Sequence, residues 1–147
     1  HTINYGNLSL SFNLVYKFGY YFRRNNVFNG SNVNYRQEGF SDRWQEQGDE
    51  NMTFIPSLSY PLNNNRGTFF NLSEKLVEPA DHIRLKDIRI GYSFRNLPAG
   101  IKGLELFGTV TNVGLLWKRT KVRQDPDFNN NIPAPKTFLV GANLKIN

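Results

Sequence analysis

Few residues of this chain could do covalent or metal chemistry. Cysteine is absent, which removes thiolate nucleophiles, disulfide frameworks and thiolate metal sites together. The two histidines, His1 and His82, have no partner at triad or metal-ligand spacing. His82 beside Asp81 holds the elements of a metal or proton site, but a solvated histidine at a strand end is the simpler account. Asp125 and Asp127 flank Pro126, and with so few oxygen ligands nearby they suit loop geometry better than Ca²⁺. No glycine-rich stretch matches a phosphate-binding pattern. The expectation is a protein that is not an enzyme, with no cofactor and no metal site.

Chemistry by contact is better represented. Trp44, Tyr60, Phe69 and Phe70 lie in a long polar stretch, where exposed rings stack on sugars or pack against a protein lid. The alternative is that they fill a small core belonging to the loop itself. Lys118, Arg119, Lys121 and Arg123 could meet lipopolysaccharide phosphates or simply be solvated. The net charge of +6 and pI of 9.7 invite a nucleic-acid reading. The cations are scattered, however, and form no basic helix or known motif, so no nucleic-acid partner is expected.

The elements that must position these residues are strands. Leu8, Leu10, Phe12, Leu14, Tyr16, Phe18 and Tyr20 alternate with mostly polar neighbours, a run of about 14 residues against the usual 5 to 6 in soluble sheets. That length suits a tilted strand crossing a bilayer. Ile83 to Phe94 alternates as well, but Ile83 and Leu85 are odd while Ile88, Ile90, Tyr92 and Phe94 are even, so one residue near Lys86-Asp87 must bulge. Two further strands follow. Predicted strands therefore cover about 7–22, 82–95, 103–117 and 136–147, with loops at about 23–81 and 118–135. Within the first loop, 71–77 reads as a short turn of helix, or else 65–71 reads as a strand extension above a membrane.

Loop lengths run very long, short, then long, so both long connections leave one end of an up-down meander. Tight turns at one end and extended loops at the other are the habit of outer-membrane barrels. Tyr20, Tyr21, Phe22, Trp117 and Phe138 fall at the long-loop end, and Tyr92 with Phe94 at the short-turn end, as two aromatic belts would. No stretch is apolar for the ~18 residues that a membrane helix needs, and His1-Thr2-Ile3-Asn4 shows no signal-peptide pattern.

Asp81-His82-Ile83-Arg84-Leu85-Lys86-Asp87-Ile88-Arg89-Ile90-Gly91-Tyr92 resembles a segment near the C-terminus of SusC/RagA-type TonB-dependent outer-membrane transporters. Arg43-Trp44, Gly48-Asp49, Pro56, Asn112 closing a strand, Asp125-Pro126-Asp127 and the final Phe138 to Ile146 are similar to further landmarks in that family's order. The resemblance implies an all-β fold, the C-terminal four antiparallel strands of a large transmembrane β-barrel with long extracellular loops. It implies a piece of a wall of about 22 strands, without the plug domain. The implied function is import of a glycan or peptide nutrient across a Gram-negative outer membrane. The implied partners are a SusD-like surface lipoprotein, the TonB complex through an N-terminal part and outer-membrane lipid. Leu8, Leu10, Phe12, Leu14, Ile88, Ile90, Val140 and Leu144 are then expected to face lipid. The alternative from another class is a soluble β-sandwich whose aromatic loop binds carbohydrate.

Overall fold

The computed structural model describes residues 1–25, 27–31, 36–95, 97–98, 101–128 and 131–146. In chain order the elements are β1 (Thr2–Tyr5), β2 (Leu8–Lys17), β3 (Tyr21–Arg23), α1 (Asn64–Asn71), β4 (Val77–Pro79), β5 (His82–Phe94), β6 (Ile101–Lys118) and β7 (Thr137–Ile146), with short 3₁₀ turns at Asp49–Asn51 and Glu74–Leu76. They fall into two compact units. One comprises His1–Tyr20, Ala80–Lys121 and Ile132–Asn147; the other comprises Tyr21–Pro79 and Val122–Asn131.

The first unit is an open antiparallel sheet of five strands in the order β1-β2-β5-β6-β7. β1 is a strand the alternation did not reveal. At four residues it is too short to show a pattern, and it is joined to β2 by a two-residue turn in which Gly6 takes φ +59°. β2 stops at Lys17 instead of running to residue 22, because Gly19 at φ +78° redirects the chain and its N–H donates to Asp81 Oδ1 at 2.7 Å. Beyond that break, Tyr21–Arg23 pairs with Val77–Pro79 in a separate two-stranded sheet.

Register decides which side chains share a face. Leu8, Leu10 and Phe12 pair with Tyr92, Ile90 and Ile88. After a register shift Leu14 and Tyr16 pair with Leu85 and Ile83. Asn13 opposes Asp87 while Leu14 opposes Leu85, so Lys86 is the extra residue. This is the bulge that the broken alternation demanded, and it returns the odd and even apolar sets of β5 to one face. Continuing across the sheet, Ile88, Ile90, Tyr92 and Phe94 pair with Val110, Gly108, Leu106 and Leu104. Those in turn pair with Phe138, Val140, Ala142 and Leu144. Asn112, expected to close its strand, instead takes φ +55° inside β6, which runs on to Lys118. The irregularity there is a second bulge, and the Asn112 amide donates to the Pro135 carbonyl at 3.0 Å.

The second unit has a core of its own. Val27, Phe28, Ile55, Phe70 and Leu76 are buried together, with Phe40 packed edge-on against Phe28 at 5.1 Å. Asn63 caps α1, its side chain accepting from the Arg66 N–H, and Ser73 caps the turn at Glu74–Leu76 in the same way. Residues 65–71 are thus helical, not a strand extension. Arg24 bridges Glu38 at 2.7 Å and Glu78 at 3.8 Å. The 23–81 stretch is therefore a folded body built on aperiodic sequence. The turn signal at Asn96, Ala99 and Gly100 and the terminal Asn147 lie outside the described residues.

Candidate functional site

The sheet presents two faces of opposite chemistry. Leu8, Leu10, Phe12, Leu14, Ile88, Ile90, Val140 and Leu144 all stand on one of them, joined by Leu104, Leu106, Val110 and Ile146 and by Ile3 and Tyr5 of β1. Among the described residues no charged side chain occupies a paired position on this face, yet it is not covered: Ile90 is 52% exposed on a central strand, and Val140 is 85% exposed. A sandwich would bury these side chains against a second sheet. An open apolar surface this continuous is a contact surface for something apolar. Rings mark both of its ends. Tyr92 and Phe94 meet edge-to-face at 4.8 Å beside the short connection, and Phe18 and Trp117 approach at 6.3 Å toward the other end. Phe138 does not join the latter pair, because register sets it level with Ile88 and Val110.

The opposite face carries a polar ladder. Glu105 accepts from Arg89 at 3.0 Å through Oε1 and from the Asn143 amide at 3.0 Å through Oε2, linking β5, β6 and β7. The Arg89 guanidinium lies 3.7 Å above the centre of the Phe107 ring, a cation–π contact. Phe107 lies over Gly141, where a Cβ would come within 2.5 Å of the ring, so any larger residue must displace that ring. Gly91 makes similar room for Ser9 and Glu105. Alternation predicted the polar face. It could not reveal that Gly141 exists for Phe107, a contact between strands.

At the far rim, Asp81 accepts from the Gly19 N–H and pairs with Arg119 at 3.0 Å. The hydrogen bond from Arg119, then that from Gly19, hold its carboxyl below the ordinary value of 3.8. Arg119 is thus committed to Asp81. The neighbouring His82, expected to be solvated, is fully buried, with Nδ1 2.8 Å from the Ala80 carbonyl and 3.0 Å from the Tyr20 hydroxyl. A β-strand end that folds back on the preceding turn buries what linear position leaves exposed. Asp125 accepts from the Asp127 N–H at 3.0 Å, a local turn contact.

The candidate contact rings of the second unit do not form one platform. Phe70 is 9% exposed and stacks on Phe54 at 6.2 Å, so it belongs to the core and not to a contact surface. Neighbouring residues on a helix point about 100° apart, and Phe69, beside it on α1, is 81% exposed. Tyr60 is 97% exposed. Trp44 lines a cleft of about 390 Å³ with Phe54 and Arg66, and its indole N–H donates to Glu50 at 3.1 Å. The carboxyl of Glu50 is held below its usual range by its own backbone N–H, the Trp44 indole and the Gly48 N–H. Arg66 in turn donates to the Ser57 carbonyl and hydroxyl. No ring contact joins Trp44, Tyr60 and Phe69 among the described residues.

The fold resembles one already known. A solved structure of the RagAB peptide importer in its open-open state matches 95% of this chain with a TM-score of 0.65 and 22% sequence identity. The chain spans 16% of the length of that one. At this identity the likeness is one of fold alone. No protein-family model and no curated protein matches the chain.

Proposed function

We propose that this chain forms part of the wall and external loops of a TonB-dependent, SusC-like outer-membrane importer of peptides or glycans. The observation that carries the reading is the uncovered apolar face, continuous over five strands and closed by rings at both ends. Lipid satisfies such a face and water does not, and only a sheet whose edges are paired onward is stable in lipid. β1 and β7 are those edges, so further strands would complete a barrel around the polar face. Tyr60 and Phe69, exposed on the second unit, are in this reading available to a SusD-like lipoprotein or to cargo. The chain performs no chemistry of its own; energy arrives from the TonB complex through another part of the protein.

The test is a deletion strain. The natural protein is expected in the detergent-resistant outer-membrane fraction, with uptake of labelled peptide or oligosaccharide lost on deletion and restored by complementation. Recovery of the protein in the soluble periplasmic or cytosolic fraction would sink the reading.

A further inference from the structure

Beside the short connection between β5 and β6 the end of the sheet forms a cleft of about 380 Å³, to which Phe94, Leu104 and Leu144 of the apolar row contribute as well as residues of the polar face. Ser93, Glu105 and Asn143 lie on one register row across β5, β6 and β7 and contribute to it. Lys145 is two residues beyond Asn143 on β7, which alternation sets on the same face, while Arg95 follows the last residue of β5 and Lys102 enters from the register irregularity between Ile101 and Gly103. Three cations therefore converge on a space of the size that holds small ligands. Glu105 is the cleft's carboxylate, and both of its oxygens are already engaged, one by Arg89 and one by Asn143. No carboxylate pairs with Arg95, Lys102 or Lys145 among the described residues. By composition alone the four long strands carry Asp87 and Glu105 as carboxylates against the cations Lys17, Arg84, Lys86, Arg89, Lys102, Lys118 and Lys145.

We propose that this cleft is a carboxylate-binding subsite for peptide cargo, positioned by Arg95, Lys102 and Lys145. The proposal rests on the importer reading above, in which the polar face lines the path of the cargo. An extended peptide offers one carboxylate at its C-terminus and others on acidic side chains. Ammonium and guanidinium donors bind them through charge-assisted hydrogen bonds, and the Ser93 hydroxyl can add a further donor.

The test is binding of a paired peptide set to the natural protein purified in detergent: one acidic peptide with a free C-terminus, and the same sequence amidated with Gln and Asn in place of Glu and Asp. The free acid is expected to bind about tenfold more tightly, and R95Q/K102Q/K145Q to erase that preference while still binding the amidated peptide as the wild type does. An R123Q variant, carrying its change in another part of the chain, is expected to keep the preference. Equal binding of both peptides to the wild type, or an unchanged preference in the triple variant, would overturn the subsite and leave the importer reading standing. Competition by inorganic phosphate as effective as that by the acidic peptide would overturn the peptide assignment in favour of a free-anion site. If neither peptide binds, the subsite and peptide import fall together.

Discussion

Placing arginine at Val140 separates a lipid-facing sheet from a water-facing one. Val140 pairs with Gly108, Gly108 with Ile90 and Ile90 with Leu10, a row that crosses all four long strands near mid-height. At 85% exposure the side chain has almost no protein neighbours to lose. In water the substitution should therefore cost no more than about 0.5 kcal/mol. In a bilayer the same position lies near the midplane, where arginine costs about 2 to 4 kcal/mol, or about 30- to 900-fold in the folding equilibrium. Ile90→Arg should behave alike, whereas Ile146→Arg, at the end of β7, should cost only about 0 to 1 kcal/mol. The assay is the fraction of the natural protein reaching its heat-modifiable folded form in phospholipid vesicles along a urea series. A flat profile, with Val140→Arg and Ile90→Arg as stable as wild type, would refute lipid contact for this face.

Four other outcomes follow from particular contacts. Deleting Lys86 removes the bulge and turns Ile83 and Leu85 onto the polar face, so assembly should be lost while Lys86→Ala assembles normally; equal yields of the two in the vesicle assay would refute the bulge argument. Gly141→Val should destabilise by about 1 to 3 kcal/mol by displacing Phe107, and Phe107→Ala should absorb much of that cost in a double-mutant cycle, strict additivity being the contrary result. Phe70→Ala should open the Tyr21–Pro79 unit to proteolysis at a cost of about 3 to 5 kcal/mol, whereas Phe69→Ala and Tyr60→Ala should leave it intact; matching digestion rates would count against the core assignment. The Asp81 carboxyl is held below its ordinary value, so the contacts to Arg119 and Gly19 stabilise the folded state above pH 3.8 and are lost as pH falls below it. Asp81→Asn should flatten that acid limb in a stability titration, and an unchanged limb would show that other groups control it.

What could be read directly from the residues was periodic. Alternation located the long strands, the mismatch between Ile83-Leu85 and Ile88-Ile90 required a bulge near Lys86, and the order of loop lengths fixed an antiparallel meander. These are local properties, since side chains on a strand take opposite faces whatever lies beside them. The break after Lys17 was harder, because Tyr20, Tyr21 and Phe22 continue an apolar run, and only the capture of the Gly19 N–H by Asp81, distant in sequence, ends it. The residues from Arg23 to Asp81 have no period, and their fold rests on side chains brought together from afar: Phe28 on Phe40, Phe54 on Phe70, Arg24 on Glu38 and Glu78. Hence Phe69 and Phe70, adjacent and alike in sequence, differ completely in exposure. The carboxylate cleft has the same origin. Arg95, Lys102 and Lys145 are unremarkable in sequence, and it is the pairing of three strands that gathers their charges around a carboxylate already spent on Arg89 and Asn143. The sequence determined by itself which face is apolar, because that depends on each strand alone; tertiary structure decided which polar groups meet, because that depends on register between strands.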